Sequence, residues 1–282
     1  MKYIVALVLL LTLTLTGRAQ QSNPAIQVEV TGEGSPLLLI PGFTVPGESW
    51  NTVVEALQND YQCHVVTIAG FGGKKPIEFP WLPEVSKALH DYIATAELED
   101  VTVMGHSLGG TLATWLASRE DSKVGRIILV DALPATGALM FPNYHPDNFV
   151  YESPYNKQQL GMNAEQFEQM ATMMAKGMSL NEQAQQQIKS WIIQADRETY
   201  VYGYTDYLKM DLREDLKNIN IPVTILAADK PYGKEAALNT YKQQYANLTD
   251  YELIMAENSG HFIMFDQPDW FLEQVQKILS SN

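Results

Sequence analysis

One short segment constrains this chain more than any other. Residues 101–104, Val-Thr-Val-Met, form an apolar run that runs straight into Gly105-His106-Ser107-Leu108-Gly109-Gly110. The following residues, 108–118, repeat apolar side chains at three- and four-residue spacing. A strand must therefore turn sharply into a helix at Ser107, and glycines two positions either side leave room for the tight backbone that lifts the hydroxyl clear. A fold that buries this segment needs a strand with a helix packed back on it.

The rest of the chain supplies more of the same. Residues 26–30 alternate apolar and polar, the period of a half-buried strand. Continuous apolar runs at 37–40, 65–68, 101–104 and 127–130 are the pattern of strands covered on both faces. Helical periodicity separates them at 49–57, 82–96 and 108–118, and two later runs, 221–227 and 251–255, precede a closing helix at 268–279. Alternating strands and helices predict an α/β fold with a mostly parallel sheet. Residues 135–220 interrupt the pattern with a stretch rich in Gln, Met and Tyr that holds helical runs at 164–176 and 182–194. It reads as a helical cap, with the core formed by 20–134 and 221–282.

Of the 282 residues, 46% are hydrophobic and 18% charged, enough for a sizeable buried core and unlike a disordered chain. With 19 Lys and Arg against 33 Asp and Glu the formal charge is −14, which argues against a nucleic-acid partner. Lys2, the apolar run 4–15 and Gly17-Arg18-Ala19 read as a signal peptide over residues 1–19. That run is too short to span the hydrocarbon layer, so the expectation is export to a periplasm or the medium, with no stable membrane anchor after cleavage. Cys63 stands alone and cannot close an intrachain disulfide.

On the segments 105–110, 37–43 (Leu-Leu-Leu-Ile-Pro-Gly-Phe), 69–73 (Ala-Gly-Phe-Gly-Gly) and 258–262 (Asn-Ser-Gly-His-Phe), the chain resembles the α/β-hydrolase family over most of its length. The resemblance implies an eight-stranded, mostly parallel sheet covered by helices, with the cap inserted after the sixth strand. It also implies Ser107 as nucleophile and His261 as its base, in the family's order Ser, acid, His. His64, His90, His106 and His145 read as structural, with His145 the one of the four closest to a substrate role. For the acid the chain departs from the family pattern. Asp229 is the first candidate, two residues earlier than the usual spacing, and Asp131, ending the run 127–130, is the alternative. By resemblance the backbone amides of Phe43 and Leu108 form the oxyanion hole, although Pro41-Gly42 replaces the common His-Gly.

The resulting expectation is an exported serine hydrolase of carboxylic esters with small to medium apolar groups, working without cofactor or metal on a small-molecule substrate. The same residues serve amide, lactone or carbon–carbon cleavage, and a ligand-binding shell without turnover is the competing reading from another class. Met162, Met170, Met173, Met174 and Met178, with Phe167, Trp191, Tyr200, Tyr202, Tyr204 and Tyr207, are the stretch's candidates for an apolar pocket.

Overall fold

A computed structural model describes residues 23–281; the expected signal peptide lies outside them. Strands β1 (Ile26–Thr31), β2 (Ser35–Ile40), β3 (Tyr61–Ile68), β4 (Val101–His106) and β5 (Val124–Val130) alternate with helices α1 (Asn51–Leu57), α2 (Trp81–Thr95) and α3 (Leu108–Ala117). Five α-helices follow, with short 3-10 and π turns between and after them: α4 (Thr136–Met140), α5 (Pro154–Leu160), α6 (Ala164–Met178), α7 (Glu182–Gln194) and α8 (Tyr204–Lys209). The chain then resumes the alternation with β6 (Val223–Ala228), α9 (Lys234–Gln244), β7 (Glu252–Ala256), α10 (Ile263–Asp266) and α11 (Pro268–Ser280).

The strands form one sheet in the order β1-β3-β2-β4-β5-β6-β7. β1 runs antiparallel to β3, and every other pair is parallel. Successive strand side chains point to opposite faces, and the core divides accordingly. Leu38 and Ile40 of β2 join α2 and α3 through Leu82, Leu89, Leu112 and Leu116. Leu37 and Leu39 join Trp50, which precedes α1, Val53 of α1, and Phe271 and Val275 of α11. Both faces are thus buried, which is why these strands read as continuous apolar runs.

The sheet has seven strands where the family pattern led us to expect eight. Only Asn23 to Ala25 precede β1 among the described residues, and the sequence itself carries seven strand-like runs. The helical segment accordingly follows the fifth strand rather than the sixth. Among the described residues no helix is long and apolar enough to cross a membrane.

The order of the sheet places the site. From β2 the chain goes to β3 on one side and then crosses back to β4 on the other. The carboxyl ends of β2 and β4 therefore flank a switch in direction, where open α/β sheets leave a crevice for ligands. Pro41-Gly42-Phe43 leaves one of these strands and Ser107 the other.

Candidate active site

Ser107 sits between β4 and α3 with φ 53° and ψ −120°, a left-handed conformation rare for a side chain larger than glycine. Its N–H donates to the Val130 carbonyl at 3.0 Å and its carbonyl accepts from Gly110 and Thr111, so the turn is pinned from both sides. Two glycines make the turn possible. A Cβ on Gly105 would lie 2.1 Å from the Gly109 carbonyl oxygen, and one on Gly109 would lie 2.1 Å from that of Ile40. Glycine lets α3 begin against the ends of β2 and β4.

His261 lies on the loop between β7 and α10. Its Nδ1 meets Asp131 Oδ2 at 2.6 Å. A carboxylate only accepts hydrogen bonds, so Nδ1 carries the proton and Nε2 presents its lone pair. The other oxygen, Oδ1, accepts from the Ala228 N–H and the Tyr241 hydroxyl, both at 2.8 Å. Burial opposes the Asp131 charge, but the His261 contact and these two donors outweigh it and hold the carboxyl below its ordinary range.

Asp229, the first candidate for the histidine's partner, is not against the imidazole. Its carboxylate accepts from the Ser259 N–H at 3.1 Å and pairs with Lys230 Nζ at 3.1 Å. It braces the backbone of the loop that carries His261. Both aspartates end adjacent parallel strands, with Val130 level with Leu226. Asp131, at φ 45°, is the one whose carboxylate reaches the ring.

His106 packs between these parts. Its Nε2 donates to the His261 carbonyl at 2.9 Å, and its ring lies 4.6 Å from that of His261. Burial first, and then the neighbouring His261, holds its imidazole down to about 3, so it is neutral at physiological pH. It lines the cavity described next, whereas His145, the histidine expected nearer the substrate, is exposed and does not.

A cavity of about 520 Å³ opens over Ser107, Asp131 and His261. Gly42 and Phe43 form one wall, and a Cβ on Gly42 would come within 3.3 Å of Ser107 Cβ. The Leu108 side chain is buried in the core, and Leu108 is not among the residues that line the cavity, whereas Phe43 is. Among the described residues neither the Phe43 nor the Leu108 N–H meets a protein acceptor. The helical segment supplies Met170, Met174, Met178, Tyr200, Tyr204 and Tyr207 from the sequence candidates; Met162, Met173, Phe167, Trp191 and Tyr202 are not in the lining. No Lys or Arg lines it, and Asp131 is its one carboxylate.

Tyr207 has a place that the sequence did not single out among the aromatics of the helical segment. Its buried hydroxyl meets Thr136 Oγ1 at 2.8 Å and Thr111 Oγ1 at 3.3 Å, and both Tyr207 and Ser107 line the cavity. Nothing local in the sequence marks it, because the contact joins α8 to Thr111 of α3, 96 residues earlier.

The chain belongs to the alpha/beta hydrolase family, whose sequence profile matches residues 37–274. Among curated relatives it is 24% identical over 258 residues to a pimeloyl-[acyl-carrier protein] methyl ester esterase of Vibrio cholerae, covering 89% of this chain and 96% of that one. It is 22% identical to an N-formylmaleamate deformylase of Pseudomonas putida, covering 85% and 87%. Among solved structures, the enol-lactonase of Burkholderia xenovorans superposes with a TM-score of 0.75 at 16% identity, covering 91% of this chain and 96% of the other. An esterase of Exiguobacterium antarcticum gives 0.74 at 19% identity over the same shares. This protein is thus an α/β hydrolase with esterases among its relatives.

Proposed function

We propose that this protein is a serine hydrolase of carboxylic esters whose acyl and alcohol groups are uncharged and apolar. The observation that carries the reading is the His261–Asp131 contact, which fixes the imidazole with Nε2 free in the same cavity as Ser107. A serine hydroxyl is a weak nucleophile until a base takes its proton. In this mechanism Ser107 Oγ attacks the ester carbonyl while His261 Nε2 accepts the proton, and Asp131 stabilises the imidazolium. The N–H groups of Phe43 and Leu108 receive the charge that develops on the carbonyl oxygen, a role worth about 3 kcal/mol per donor in related chemistry. His261 then protonates the departing alcohol. A water, deprotonated by the same imidazole, attacks the acyl carbonyl; the Ser107–acyl bond breaks as His261 returns that proton to Ser107 Oγ, releasing the acid.

The relatives named as esterases support the ester bond, and the lining supports the kind of group attached to it. A carboxylate on the substrate would meet no Lys or Arg there, and an unpaired buried charge is strongly disfavoured. Helices α4–α8, which roof the cavity, are proposed to act as its cap. The lysine and apolar run at the start of the chain support an exported enzyme, a reading that amino-terminal sequencing of the secreted protein would check.

Hydrolysis of p-nitrophenyl butyrate tests the function. Turnover in the wild type that vanishes in Ser107→Ala is the expected result, with a neutral methyl ester preferred by about tenfold or more over a half-ester bearing a free carboxylate. Absence of turnover on any ester, or equal activity in Ser107→Ala, would overturn the assignment.

A further inference from the structure

A second large apolar space adjoins the cavity over Ser107. It has a volume of about 620 Å³ and lies between the stretch after α4, the start of α5 and one side of α8. No charged side chain lines it. Met140, Tyr155, Asn156 and Tyr204 line both spaces, so the two are separated by side chains rather than by backbone layers.

The four dividing residues differ in how firmly they are held. Asn156 is buried, and its Nδ2 donates to Val150 O, Tyr151 O and Thr205 Oγ1 at 3.2, 3.0 and 2.8 Å. Met140 and Tyr155 are 51% and 63% exposed. The Tyr204 hydroxyl reaches Met140 Sδ at 3.4 Å, a weak tie on a side chain that changes rotamer readily. Beyond this partition stand Phe141 and Phe149, with ring centres 5.1 Å apart, and Val150. Leu139, Met140, Phe141 and Val150 are all more than two-fifths exposed within one short stretch. A cluster of large apolar side chains facing water marks a binding surface more often than scattered single ones do.

Building on the ester-hydrolase reading above, we propose that the second cavity is a subsite for the distal part of a long alkyl chain. With the ester carbonyl at Ser107, the chain passes between Met140 and Tyr155 and ends against Phe141, Phe149 and Val150. The occupant is the substrate's own tail, because the space adjoins the candidate active site across four shared side chains, two of them largely exposed, and offers no partner for a charge. The substrate class is therefore a neutral ester with one long unbranched chain, longer than the cavity over Ser107 holds by itself.

The test is a chain-length series of p-nitrophenyl esters, acetate to dodecanoate, each below its micelle concentration. Wild type is compared with Val150→Asp, Phe141→Asp and Met173→Asp; Met173 is exposed and lines neither cavity. The wild type is expected to keep its kcat/KM from butyrate to decanoate. Val150→Asp and Phe141→Asp should lower the decanoate-to-butyrate ratio by about tenfold or more, as a charge meets the buried chain. Met173→Asp should leave the ratio unchanged. An unchanged ratio in both cavity variants, or a wild type whose turnover collapses beyond hexanoate, would overturn the proposal while leaving butyrate hydrolysis to support the enzyme assignment.

A binding arm works even without turnover. In calorimetric titration of Ser107→Ala, 1-decanol should bind more tightly than 1-butanol, and adding Val150→Asp should abolish the difference. Equal binding of the two alcohols would overturn the subsite. So would Val150-dependent sedimentation with phosphatidylcholine vesicles in the absence of any preference for decanol, since the patch would then be a surface for lipid.

Discussion

Asp131 combines a left-handed backbone with a fully engaged carboxylate. The conformation, φ 45°, costs of order 1 kcal/mol or more for a residue other than glycine, although aspartate tolerates it better than most. Its N–H donates to Leu226 O at 2.8 Å, and three donors hold its side chain. Asp131→Asn is therefore expected to fold but to lose about 10³- to 10⁴-fold in kcat, because an amide favours the wrong imidazole tautomer. Asp229→Ala should leave kcat within about tenfold and lower Tm, since the Ser259 N–H it leaves buried and unpaired costs about 1–3 kcal/mol. Steady-state kinetics and thermal melts on the two variants check both statements. Tyr207→Phe removes a neutral hydroxyl worth about 0.5–1.5 kcal/mol per bond, so a kcat loss of at most about tenfold with KM unchanged is expected. Ser107 and His261 were legible because each sits in a short local motif. The choice between the two aspartates was not, because both end strands and only the three-dimensional turn of each backbone decides which reaches the ring.

The turn from β4 into α3 is held by contacts that leave no room for a methyl group. Gly109→Ala would drive Cβ toward the Ile40 carbonyl, 2.1 Å away, and so push α3 off the end of β2. A loss of about 1–3 kcal/mol from such overpacking, seen as a lower Tm, should arrive together with lost reactivity of Ser107 toward a fluorophosphonate; a variant as stable and reactive as wild type would contradict the packing described. The histidine loop is likewise tied to the helical segment. Asp266 accepts from the Gly260 N–H at 2.7 Å and from the N–H groups of Leu180 and Asn181 at 2.9 and 3.2 Å, and the Phe262 N–H donates to Met178 O. Long elements such as α7 and α11 could be read from periodicity in the sequence. Helices α4, α5 and α8 could not, because five to seven residues complete too few turns to show a 3.6-residue period. The expectation of an eighth strand has a different origin: it rests on the family pattern, and among the described residues seven strands form the sheet.

Taken together, the buried titratable groups make the folded molecule sensitive to acid in two stages. Burial lowers both His64 and His106, the latter to about 3. The unfolded chain takes up these protons below the ordinary histidine value near ~6.5 while the folded one does not, so stability falls as pH drops from there toward 3. Asp131 and Asp211 are held below the ordinary carboxylate value, and their contribution is present above about 4 and lost as pH falls through their folded values. Tm is expected to fall between pH 7 and 4.5, and His64→Gln should flatten that fall; parallel curves for wild type and variant would contradict the account.

The central claim is that Asp131, through His261, activates Ser107. Intact-mass measurement of fluorophosphonate labelling tests it most directly, using wild type, Ser107→Ala, Asp131→Asn and Asp229→Ala side by side. One equivalent of label on the wild type and on Asp229→Ala, none on Ser107→Ala, and strongly slowed labelling of Asp131→Asn is the predicted result. Labelling of Asp131→Asn at the wild-type rate, or an unlabelled wild type under conditions where a known serine esterase reacts, would contradict it.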